Sequence, residues 1–162
     1  MTSQEIEVHA ALRALGIAFE RYEHPPVASA IGAEEHWSGI DACHTKNLFL
    51  RNKKGTRHYL VILPLLKRAD MRAVSDQIGD GRLSFGTVEQ MLAHLGVTPG
   101  SVSPFGLIHD AARAIHVYLD EELKTSGRIS FHPNINTSTL VLTFADFEQF
   151  LASRGNPVRF IS

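Results

Sequence analysis

A single cysteine in 162 residues, Cys43, rules out an intramolecular disulfide and fits a reducing compartment. Long apolar runs are missing too. Nothing approaches the roughly 20 residues that cross a bilayer, and Met1 to Gly16 alternates polar and apolar residues where a secretory leader would be continuously apolar. A cytoplasmic protein with no membrane partner is expected. Excess charge of either sign is absent: the net charge of −1 lacks the cationic surplus that general nucleic-acid coating requires. Repeats and linker-like segments are also lacking, so residues 1–162 read as one domain. None of the nine histidines belongs to an HExxH or comparable ligand pair, and neither a metal nor another cofactor is expected.

What is present is an ordinary globular composition, 44% hydrophobic and 20% charged, in a chain long enough to bury a core unaided. Thr2-Ser3-Gln4-Glu5 has the form of a capping box, and Ile6, Leu12 and Leu15 follow at roughly helical spacing up to Gly16. Ala18–Glu23 alternates as a short strand that His24-Pro25-Pro26 breaks, and Ala33–Trp37 suits a brief helix. Thr45–Arg51 and Arg57–Leu63 form a hairpin across Asn52-Lys53-Lys54-Gly55. Asp70 caps a helix running to Ile78, and Thr87-Val88-Glu89-Gln90 opens another that stops at Gly96. Strands follow around Ile115–Leu119, Arg128–Phe131 and Thr139–Thr143, then a Thr143-capped helix and a last strand from Val158 to Ile161. Hairpins and irregular pairs, without strict βαβ alternation, predict an α+β domain with a mixed, mostly antiparallel curved sheet flanked by helices. Gly79-Asp80-Gly81 is a poor dinucleotide fingerprint because it follows a helix.

Lys46 shares a strand face with Leu48 and Leu50, while Thr45, Asn47, Phe49 and Arg51 take the other. An ammonium on an apolar face needs a carboxylate, carbonyls or a substrate oxygen; the alternative is a strand-end lysine that snorkels to water. Cys43 has no spacing-matched base, since adjacent His44 projects to the opposite face. In Phe131-His132-Pro133-Asn134-Ile135-Asn136-Thr137, Pro133 holds His132 extended ahead of a polar run, which is either a strand-linking turn or part of a site. Arg82-Leu83-Ser84-Phe85-Gly86-Thr87 ends at a helix N-terminus, where N–H groups either meet ligand oxygens or are simply capped by Thr87. Arg51, Lys53, Lys54, Arg57 and His58 crowd the hairpin, and Lys67, Arg68 and Arg72 form a second basic cluster. These are solvated faces or a small phosphate footprint for one end of a nucleic acid.

His24-Pro25-Pro26-Val27, Thr45-Lys46-Asn47-Leu48-Phe49-Leu50, Arg82-Leu83-Ser84-Phe85-Gly86, Leu95-Gly96-Val97-Thr98-Pro99-Gly100-Ser101-Val102, and His132-Pro133 with Asn136-Thr137 occur in that order. Together they resemble the YbaK/prolyl-tRNA-synthetase-associated domain family, above all its free-standing prolyl-tRNA editing branch, over nearly the whole chain. The resemblance implies a metal-independent deacylase that hydrolyses the ester of mischarged proline tRNA, alanyl before others, with prolyl-tRNA synthetase as a possible partner. It places Lys46 near the ester, sets Asn47, His132 and Pro133 in the pocket, and has Ser84, Phe85 and Gly86 shape it. Lys53, Lys54 and Arg57 are the expected tRNA contacts. Asn134, Leu140 and His109 depart from the family pattern, and they bear on amino-acid preference more than on reaction type. A deacylase acting on cysteinyl or seryl esters, or a non-catalytic tRNA- or synthetase-binding module, are the alternative readings.

Overall fold

The computed structural model describes residues 1–26 and 39–162. Val27 and the helix expected over Ala33–Trp37 lie outside the described residues.

Side-chain caps set the helix boundaries. Thr2, Asp70, Thr87 and Thr143 each accept a backbone N–H three residues on, opening α1 (Ser3–Ala14), α2 (Met71–Ile78), α3 (Val88–Leu95) and α4 (Phe144–Arg154). Left-handed glycines at 79, 96 and 155 close α2, α3 and α4. Two expectations for α1 need correction. Glu5 does not return to the Thr2 N–H; its carboxylate is buried among Arg21, His9 and Ser138. Ile6 is 51% exposed; Val8 takes its place in the buried stripe beside Leu12, which is buried as expected, and Leu15 packs against the core. Short 3-10 turns at Pro104–His109 and Glu121–Thr125 had no counterpart in the sequence reading.

The strands are β1 (Glu20–Glu23), β2 (Cys43–Arg51), β3 (His58–Pro64), β4 (Ser84–Phe85), β5 (Ile115–Asp120), β6 (Arg128–Phe131), β7 (Ser138–Thr143) and β8 (Val158–Ile161). Their order is β1-β7-β6-β2-β3-β5-β8, with β4 added to β2. Pairs β1/β7, β6/β7, β2/β3 and β2/β4 are antiparallel, while β2/β6, β3/β5 and β5/β8 are parallel. The α+β architecture with a mixed sheet is therefore as expected.

Alternation divides the core between the two faces of the sheet. Phe49, Leu60, Ile62, Val117 and Leu119 join Phe131 and the α4 residues Phe147 and Phe150 in the larger cluster. Leu50, Tyr59, Val61 and Leu63 form the smaller one with Val74 of α2 and Leu83, and Leu48 packs at its margin. Lys46 belongs by parity to this second face.

Candidate active site

The longest strand is paired unevenly. One edge of β2 carries β3 without interruption, from Thr45 opposite Pro64 to Arg51 opposite His58. On the other edge, β6 pairs only at Cys43 and His44, and β4 only at Leu50 and Arg51. Among the described residues, no strand pairs with Lys46, Asn47 and Leu48 on that side. The Phe49 carbonyl accepts from the Gly86 N–H on this edge, so by alternation the backbone N–H and C=O of Asn47 face the same opening. Among the described residues, the gap is a stretch of strand edge whose backbone polar groups have no strand partner.

Lys46 stands in the middle of this gap, half-buried. Desolvation pulls its pKa below the ordinary lysine value. Among the described residues its ammonium has no hydrogen-bond or ion-pair partner, in contrast to Lys67, whose Nζ is 2.7 Å from buried Asp120. That ion pair withdraws Lys67 from the second basic cluster anticipated from sequence. Asn47 leaves the strand on the opposite face, and its buried Oδ1 has no partner among the described residues.

His132 enters from the β6 side. The β2/β6 register pairs Cys43 with Ile129 and His44 with Ser130 and ends there; His132 follows Ser130 by two residues, just past the end of β6. His44 Nδ1 lies 2.6 Å from Ser130 Oγ, which identifies the face concerned as the one carrying Lys46. His132 Nδ1 donates to the Ser138 carbonyl at 3.1 Å. This bond assigns the proton to Nδ1 and leaves Nε2 as the lone-pair nitrogen of the neutral ring. Desolvation lowers the His132 pKa, partly opposed by the bond to Ser138. The ring centroid of His24 is 5.8 Å away, and His24 Nε2 lies 2.8 Å from Thr139 Oγ1. Pro133 and Asn134 are buried; Asn134 adopts a φ of 62°, and both polar atoms of its side chain lack partners among the described residues. The turn at Thr98–Ser101 adjoins this loop, since a Cβ on Gly100 would sit 3.7 Å from Asn136 Nδ2.

The opposite rim is β4. Phe85 is directly across from Leu50, which puts its side chain on the Lys46 face, and it is 63% exposed. Ser84 is exposed as well. Gly86 has a packing role: a Cβ there would come within 2.4 Å of the Phe49 ring. A cavity of about 660 Å³ lies between α2 and the turn preceding β4, with Arg72 and Arg82 in its wall.

Lys53, Lys54 and Arg57 are exposed on the hairpin. Buried Asn52 fixes that turn, its Oδ1 accepting from the N–H groups of Thr56 and Arg57. Cys43 is half-buried and its thiol is pushed up by burial, the wrong direction for a nucleophile. Among the described residues, no group of three or more His, Cys, Asp or Glu is arranged to hold a metal ion, and no helix is long and apolar enough to cross a membrane. The buried contact between Glu5 and Ser138 has no sign in the sequence: the spacing of Glu5 from Thr2 imitates a cap, and Ser138 carries no local signal.

Residues 24–150 match the family of aminoacyl-tRNA editing domains. The chain is 35% identical over 158 residues to the prolyl-tRNA editing protein ProX of Acetoanaerobium sticklandii, covering 95% of this chain and 94% of that protein. It is 31% identical over 154 residues to prolyl-tRNA synthetase associated domain-containing protein 1 of Mus musculus, covering 93% and 90%. A solved structure described as a candidate trans-editing enzyme for prolyl-tRNA synthetase shares the fold, with a TM-score of 0.74 at 22% identity over 98% of this chain and 96% of that one.

Proposed function

This chain belongs to the aminoacyl-tRNA editing domain family, and on that premise we propose that it clears mischarged proline tRNA by hydrolysing its ester in the gap beside β2. Editing makes it a deacylase, with aminoacylated tRNA as substrate. Alanine is the proposed acyl group. A pocket built for proline cannot strongly reject a smaller side chain, since each missing methylene is worth only about 1–3 kcal/mol, and a second site sized for the smaller group corrects the error.

An aminoacyl ester is already activated, so the protein has mainly to position it, admit water and stabilise charge on the carbonyl oxygen. The observation that carries this reading is the half-buried Lys46 ammonium facing an open strand edge with no partner among the described residues. In our reading it stabilises the developing oxyanion, while the ester's amino group donates to the Asn47 backbone carbonyl on the unpaired strand edge. His132 orients water or the terminal ribose through Nε2. Phe85 and Pro133 bound the acyl group, with Ser84 and Gly86 forming the β4 rim. The exposed Lys53, Lys54 and Arg57 take acceptor-end phosphates. Prolyl-tRNA synthetase is the proposed protein partner, and the activity is proposed to be independent of metal.

A deacylation panel of alanyl-, cysteinyl-, seryl- and prolyl-tRNA, all of proline identity, tests this. Alanyl-tRNA is expected to be hydrolysed fastest and prolyl-tRNA spared, with the rate unchanged by exhaustive EDTA treatment. Preference for the cysteinyl or seryl ester would reassign the specificity. Binding without hydrolysis would make this a recognition module, and zinc-restorable loss in EDTA would overturn metal independence.

A further inference from the structure

Behind His132 lies a buried polar chain. Glu5, with 0% exposure, is the hub. Its Oε2 accepts from Arg21 Nε at 2.5 Å, from Ser138 Oγ at 3.0 Å and meets His9 Nε2 at 3.1 Å, while Oε1 accepts from Arg21 Nη2 at 3.0 Å. Burial pushes the Glu5 pKa up, but the Arg21 and Ser138 hydrogen bonds and the nearby Arg21 and His9 charges outweigh it, so the group stays below the usual carboxylate range. A carboxylate this buried is costly to retain for helix capping, and it does not cap α1. Its contacts instead join α1, β1 and the first residue of β7. Ser138 is 0% exposed and faces two ways: its hydroxyl donates to Glu5, and its carbonyl accepts from His132 Nδ1.

We propose that Glu5 is a positioning residue for the editing site, holding Ser138 so that its carbonyl stays aimed at His132 and fixes the ring in the Nδ1–H tautomer. The proposal rests on the assignment of His132 to the site. It parallels the general way in which a buried polar group behind a functional histidine sets which nitrogen carries the proton. The free imidazole side chain favours the other tautomer, so the arrangement has to be imposed. Glu5 is well placed to impose it, because Arg21 holds it by two hydrogen bonds on a second element and it cannot swing away without breaking both.

The test uses the whole protein and two substitutions, Glu5→Gln and Ser138→Ala, the second removing one hydroxyl and leaving the backbone carbonyl in place. Ring ¹⁵N chemical shifts of His132 report the tautomer directly, and single-turnover deacylation of alanyl-tRNA of proline identity reports rate and KM separately. We expect wild-type His132 to be Nδ1–H, and folded Ser138→Ala to show a mixture shifted towards Nε2–H, about tenfold slower hydrolysis and KM within twofold. Glu5→Gln should move the ring signals the same way. An unchanged tautomer in folded Ser138→Ala, or a loss confined to KM, would overturn the proposal while leaving the deacylase reading standing. If His132→Ala hydrolyses the ester as fast as wild type, the site assignment fails, and with it any role for Glu5 behind it.

Discussion

Replacing Lys46 by methionine is expected to make the protein more stable, because the ammonium is partly desolvated and meets no anion among the described residues. The sign can be checked through pH. Its folded-state pKa lies below the ordinary value of 10.5, so between those two values the unfolded chain retains a proton that the folded chain has released. The penalty is fully present at neutral pH and fades as pH rises through that window, the reverse of an ion-paired lysine. Thermal melts of wild type and Lys46→Met across that range should converge at alkaline pH; parallel curves would show that the ammonium is well solvated. A residue that lowers stability where it stands is expected at a functional site. Lys46 was legible in the sequence because a charge interrupts an apolar alternation. Glu5 was not, because its partners Arg21 and Ser138 are 16 and 133 residues away and only the fold unites them.

The two rims of the gap make separate predictions at the level of whole elements. Gly86→Ala should displace β4 or destabilise the protein by about 1–3 kcal/mol, since the new Cβ would lie 2.4 Å from the buried Phe49 ring. A wild-type melting temperature would mean that β4 moves freely. Phe85→Ala removes an exposed ring and should leave the fold intact while relaxing selectivity by about 1–3 kcal/mol, read as the ratio of alanyl- to prolyl-tRNA hydrolysis. An unchanged ratio would take Phe85 out of the pocket wall. Replacing Lys53, Lys54 and Arg57 together by alanine should weaken tRNA binding and flatten its dependence on log salt by up to about 2–3 units, with hydrolysis of a short ester mimic little affected. The four helices among the described residues were readable to within a residue or two because their caps are local chemistry. The 3-10 turns at Pro104–His109 and Glu121–Thr125 were not, since such short segments have no periodicity to detect.

For the molecule as a whole, sequence periodicity identified strands and a mixed sheet, but not which strands become neighbours. The parallel pairings β2/β6, β3/β5 and β5/β8 join segments far apart in the chain, and no local pattern encodes them. The gap is a product of that topology: β6 leaves β2 after His44 and β4 joins only at Leu50, so among the described residues no strand pairs with that edge at Lys46 and Asn47. The net charge of −1 fits the same picture: the hairpin carries Arg51, Lys53, Lys54 and Arg57 in a chain with no overall cationic excess.

The central claim is that the ester is hydrolysed at this gap with the help of Lys46. Single-turnover hydrolysis of alanyl-tRNA of proline identity by wild type and by folded Lys46→Ala tests it most directly. The account predicts rapid hydrolysis by wild type and a loss of about 2–4 kcal/mol of transition-state stabilisation in the variant, with tRNA affinity nearly unchanged. Equal rates for the two proteins would contradict it.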